Sequence, residues 1–146
     1  MMIALCIALI ILDRITKILT INLLKPIESI VLIPKVLSLT YVENRGAAFG
    51  IMQNARWIFV VVTVAVLAAL CVYIVKTKPQ SRLFKWSAAL IGAGAVGNLI
   101  DRICYGYVVD MIQATFIDFP VFNFADCCIV VGTGLLCLYI LTKKDD

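Results

Sequence analysis

Four long blocks of mainly aliphatic residues, 1–24, 57–75, 84–104 and 125–142, dominate this chain of 146 residues. A helix crosses the ~30 Å hydrocarbon core of a bilayer with about 20 apolar residues, so each block has the length of a membrane span. The composition agrees: only 15% of the residues are charged, where a soluble domain carries roughly a quarter. The expected fold class is an all-α polytopic membrane protein, one membrane-embedded domain over 1–146. It has four transmembrane helices and a small extracytoplasmic β-containing platform.

The first block is interrupted by Asp13, Arg14 and Lys17. It does not read as a signal peptide. No basic stretch precedes it, its charges lie mid-block, and no small-residue cleavage site follows before Lys25. Orientation follows from Lys and Arg in short loops. Lys76, Lys78, Arg82 and Lys85 fall between the second block and the start of the third with no acid among them, and Lys143 and Lys144 follow the fourth. Both termini are therefore expected in the cytoplasm, and 25–56 and 105–124 outside. The second outer segment holds only the acids Asp110 and Asp118, as the rule requires; the first holds four basic residues and departs from it. Within 25–56, residues 37–42 alternate in part and contain Thr, Tyr and Val, which predicts a strand. Asn44-Arg-Gly46 reads as a turn, and 47–57 as a short amphipathic stretch leading back into lipid.

The net charge of +4 is scattered, without a basic stripe interleaved with aromatics, so nucleic acid is not an expected partner. Cys6, Cys71 and Cys137 lie in apolar runs as small hydrophobes, and Cys127 and Cys128 are adjacent. With no histidine, no CxxC and no ligand spacing, no metal site is expected.

Without histidine, the candidate general bases are Asp, Glu, Lys and Tyr. Asp110 sits in the apolar frame Val108-Val-Asp-Met-Ile112 just past the third block, and Asp126 opens the fourth. An acid near a bilayer core is costly and points to function. Two acids able to share a proton are the simplest hydrolytic device this chain can build. Asp126 also has a local reading: Asn123 is a strong N-cap, and an acid three residues on complements the helix dipole. Asp118 reads as a solvated loop acid. Asp13 and Lys17 share a helix face, as an ion pair that either docks the first span or braces a site. Asn98, Asp101 and Arg102 form one polar stripe, either a headgroup anchor or an interior network. Gly92-Ala-Gly-Ala-Val-Gly97 spells GxGxxG but lacks the βαβ setting of a dinucleotide site; small residues in a membrane run favour close helix packing.

Together these segments resemble lipoprotein signal peptidase (signal peptidase II), the intramembrane aspartyl protease family of bacteria. The resemblance rests on Asp13-Arg-Ile-Thr-Lys17, Asn44-Arg-Gly-Ala-Ala-Phe49, Gly97-Asn-Leu-Ile-Asp-Arg102, Val108-Val-Asp110 and Phe122-Asn-Phe-Ala-Asp126, in the family's order and over nearly the whole chain. It implies a catalytic pair at Asp110 and Asp126. It implies supporting roles for Asp13, Lys17, Asn44, Gly46, Asn98, Asp101, Arg102 and Asn123. It further implies a prolipoprotein substrate with a diacylglyceryl-modified lipobox Cys, cleaved just before that Cys. No metal or organic cofactor is implied. Membrane lipids are the surroundings, and the cyclic peptide globomycin is the expected inhibitor. The implied setting is the bacterial cytoplasmic (inner) membrane, with the site expected towards its outer face. Two rivals make different predictions. A non-enzymatic four-span transporter or scaffold would tolerate Asn at positions 110 and 126. A Ser/Lys peptidase would need Ser29 or Ser38 with Lys35 as base.

Overall fold

The computed structural model describes residues 2–46 and 51–143. The chain forms α1 (Met2–Leu19), β1 (Ser29–Ile33), β2 (Leu37–Asn44), α2 (Arg56–Thr77), α3 (Arg82–Cys104), β3 (Val108–Ala114) and α4 (Phe124–Thr142). A wider π-helical turn, Thr20–Leu24, closes α1. Of the expected amphipathic stretch, 47–50 lie outside the described residues, 51–54 form a turn, and Arg56 already begins α2.

Among the described residues, α2, α3 and α4 are long and apolar enough to cross a membrane. The fourth helix, α1, carries Asp13, Arg14 and Lys17 in an otherwise aliphatic sequence, and it buries Asp13 and Lys17. The distribution is inside out. The largest fully buried side chains include Lys17, Asn123, Asp13, Asp101 and Asp110, while Ile, Leu and Val on the helices face outward. Such a surface suits hydrocarbon, because the polar groups pair with one another inside the bundle.

Central α3 packs against α1, α2 and α4. Its small residues permit this. A Cβ on Gly94 would collide with the Ala125 carbonyl oxygen and the Ile129 side chain, and one on Gly97 would sit 2.5 Å from Asp13 Oδ2. From the other side, a Cβ on Gly132 of α4 would come within 2.9 Å of Ile91. The GxGxxG string is thus a packing surface. By contrast, α2 buries no residue, as a helix apolar on every side is expected to do beside lipid.

The three strands form one antiparallel sheet in the order β1-β2-β3. The expected strand at 37–42 is the first part of β2. Strands β1 and β3 escaped the sequence reading because neither alternates. All five residues of β1 are exposed, and the first four of β3 are buried. A small apolar cluster of Leu24, Val109 and Met111, flanked by Ile21 and Leu39, seats the sheet on the end of α1. The platform is therefore held where the helices end, and β3 delivers Asp110 to that boundary.

Candidate active site

Asp110 and Asp126 come from elements built very differently. Asp126 is the third residue of α4 in a complete capping box. The Asn123 side-chain oxygen accepts the Asp126 backbone N–H at 3.0 Å, and Asp126 Oδ2 accepts the Asn123 backbone N–H at 3.1 Å. The box satisfies amides that a helix start otherwise leaves open. Asp110 lies on β3 opposite Val42 of β2. Side chains repeat every second residue along a strand, so Asn44 shares the face of Val42 and is the diagonal neighbour of Asp110.

Asn123 joins the two acids. Its side-chain amide donates to Asp110 Oδ1 at 2.6 Å, while its backbone N–H serves Asp126. The chain is brought there by the Ile112–Phe122 bridge, in which each N–H donates to the other's carbonyl, at 2.8 and 3.0 Å. Asn44 Nδ2 donates to Asp110 Oδ2 at 3.0 Å. Its amide is oriented by the Gly46 N–H, which donates to Asn44 Oδ1 at 3.0 Å; the expected turn is thus an Asx turn aimed at the acid. Asn98 Nδ2 donates to Asp126 Oδ1 at 2.7 Å. Asp110 is fully buried, whereas Asp126 is partly exposed. Burial first, and then the neighbouring charge of Asp126, push Asp110 up to about 7, against the donors Asn123 and Asn44.

Below the acids lies an ion cluster. Lys17 Nζ is 2.8 Å from Asp101 Oδ2 and 3.3 Å from Asp13 Oδ2, and it donates to Asn98 Oδ1 at 2.8 Å. Arg14 is 2.6 Å from Asp101 and 2.7 Å from Asp13, and it donates to the Gly97 carbonyl at 3.0 Å. Asp101 Oδ2 also accepts the Val109 backbone N–H at 3.1 Å, which fixes the strand residue just before Asp110. The Asp13–Lys17 pair therefore both docks α1 and supports the acids. The stripe of Asn98, Asp101 and Arg102 turns inward. Arg102 reaches the Gly46 carbonyl at 3.4 Å and lies over the Phe59 ring, 4.9 Å from its centroid.

Two hollows flank Asp126. One, of about 200 Å³, is lined by Asn44, Gly46, Arg102 and the 119–122 loop; the other, of about 330 Å³, by Phe119, Phe122, Cys127, Val130 and Val131. The first is lined by the polar groups of Asn44 and Arg102; the second is apolar apart from Asp126. Asp118 is exposed, as expected of a solvated acid. Ser29 bonds across the sheet to Leu39 and Thr40. The sequence reading missed Arg14. It directly follows Asp13, and neighbours along a helix do not share a face; its long side chain nonetheless reaches both acids.

The family model for signal peptidase (SPase) II matches residues 5–142. The chain is 45% identical over 139 residues to a lipoprotein signal peptidase of Clostridium acetobutylicum, covering 93% of this chain and 90% of that one. It is 47% identical over 135 residues to one from Halothermothrix orenii, covering 92% and 91%. Its fold is similar to a solved bacterial membrane enzyme, with a TM-score of 0.90 at 32% identity over 99% of this chain and 93% of the other.

Proposed function

The chain belongs to the signal peptidase II family, and from that premise we propose that it is an intramembrane aspartyl endopeptidase of diacylglyceryl-modified prolipoproteins. Cleavage falls just before the lipidated lipobox Cys and releases the signal peptide. The observation that carries the aspartyl reading is Asn123, one residue bonded to both Asp110 and Asp126, at 2.6 and 3.1 Å.

Two carboxylates held this way do not both ionise cheaply, so the pair keeps one proton between them. Asp126 is the base, because the start of a helix and the amide of Asn98 favour its anion. It takes a proton from a water, and that water attacks the scissile carbonyl carbon. Asp110, whose proton is held up to about 7 by burial and by its partner's charge, gives that proton towards the carbonyl oxygen. The tetrahedral intermediate then collapses, the C–N bond breaks, and the leaving amine of the lipidated Cys is protonated by the pair. Arg102, Asn44 and the Gly46 carbonyl hold the extended backbone in the polar hollow. The lipid anchor of the substrate stays among the outward aliphatic residues. The charge pattern supports an orientation with both termini in the cytoplasm of a bacterial inner membrane and the acids at its outer face.

The test uses the purified protein in nanodiscs with a lipobox peptide, either diacylglyceryl-modified or bare. The expected result is cleavage of the modified peptide only, inhibition by globomycin, and no cleavage by Asp110→Asn or Asp126→Asn proteins of unchanged helical content. Turnover by either variant near the parent rate would overturn the aspartyl reading.

A further inference from the structure

We infer that Lys17 sets the hydrogen-bond polarity of the acid pair, acting through the amide of Asn98 to hold Asp126 as the charged acceptor. Lys17 is a positioning residue in this account, and the inference rests on the aspartyl reading above.

The argument begins with donors. An ammonium group has three N–H bonds and no acceptor. Lys17, 1% exposed, directs them at Asp13, Asp101 and the side-chain oxygen of Asn98. That oxygen also accepts the Asn123 Nδ2 at 3.1 Å. Turned the other way, Asn98 would press its NH2 against two donors, the ammonium and the Asn123 amide, and leave three donors without an acceptor. The Asn98 amide therefore has one orientation, and its NH2 group must face Asp126, 2.7 Å away. The other oxygen of Asp126 receives the Asn123 backbone N–H. Asp126 is thus met by donors on both oxygens.

Asp110 is also met by two amides, from Asn44 and Asn123. The difference is what stands behind those amides. Gly46 orients Asn44, and the Asp126 backbone N–H orients Asn123; both are neutral backbone groups. Behind Asn98 stands a buried cation, and a hydrogen bond polarised by a charge is the stronger one. The cluster fixes that cation in turn. Asp13 and Arg14 face it from α1, and Asp101 from α3. Arg102 of α3 and Asp110 of β3 complete the charged groups around Asp126, and Cys127 is its neighbour on α4. Cys128 of α4 adjoins Asp13. The ion cluster beneath the site is therefore more than a rivet between α1 and α3: it decides which acid is the base.

The test follows a carboxyl group by its C=O stretching band, in an Asp110→Asn background where Asp126 is the remaining acid of the pair. In the Lys17→Met protein, the pH at which the protonated band of Asp126 is lost is expected to rise by about one to two pH units, the size of a charge-assisted hydrogen bond. Lys17→Arg restores the parent midpoint. In an Asn98→Leu background, Lys17→Met adds no further shift. Should Lys17→Met fail to fold, Asn98→Leu alone keeps every ion pair and is expected to raise the midpoint by the same amount. An equal shift with and without Asn98 would mean a field acting directly through space, and no shift would mean a purely mechanical role; either overturns the inference. The readout is titration, so it stands apart from the cleavage assay that decides whether Asp110 and Asp126 catalyse.

Discussion

Replacing Asp101 by Asn removes one negative charge from a balanced cluster of two acids, Asp13 and Asp101, and two cations, Arg14 and Lys17. Asp101 is fully buried and lies 2.6 Å from Arg14 and 2.8 Å from Lys17. Removing one partner of a buried ion pair costs about 3–5 kcal/mol, because the remaining charge is left uncompensated. At roughly 2–4 °C per kcal/mol for a protein of this size, the midpoint of thermal unfolding is expected to fall by roughly 6–20 °C. The substituted amide keeps an oxygen for the Val109 N–H, so the loss reports the charge rather than the strand contact. Adding Arg14→Met restores the balance and is expected to recover at least half of the loss. Thermal unfolding of the three proteins in the same detergent, followed by helical circular dichroism, measures this directly. A fall below about 3 °C, or a double variant less stable than Asp101→Asn alone, would refute the view of the cluster as a charge-balanced unit.

Two further outcomes are expected. Gly94→Ala and Gly97→Ala should each cost about 1–3 kcal/mol in the same assay, because their Cβ atoms meet the Ala125 carbonyl and the Asp13 carboxylate, whereas Gly134→Ala, with open space around it, should be neutral. Asp110 binds a proton more tightly when folded, up to about 7 against an ordinary value of 3.8, so the folded state holds more protons between those limits and stability falls as pH rises across them. Asp110→Asn should abolish that slope, and parallel stability–pH curves for parent and variant would contradict the assignment.

The spans were legible because their signal is length and apolarity, which tertiary contacts scarcely alter. Asp110 and Asp126 were legible because acids in apolar surroundings need a reason. The link between them was not. Asn123 announces itself as an N-cap, but its bond to Asp110 depends on the bridge between Ile112 and Phe122, which no local pattern encodes. The contact of Asn44 with Asp110 likewise depends on the register of β2 against β3. Strand β1 was hidden by its uniform exposure, and β3 by a buried run too short to tell from a helix segment. The reach of Arg14 escaped because residue spacing predicts directions of Cβ atoms, while a guanidinium travels several ångströms beyond its own.

The placing of opposite charges on α1 and α3 also bears on how the protein is made. Emerging from the ribosome before α3, α1 brings two cations and one acid into the insertion machinery, and the acid that completes the balance is not synthesised until Asp101. Lone charges in hydrocarbon are penalised by at least ~2.5 kcal/mol each. The first helix is thus a poor guest of the lipid by itself and must linger at the translocon until the third arrives. Chains truncated between α1 and α2 should be extractable by alkaline carbonate, and full-length chains should not.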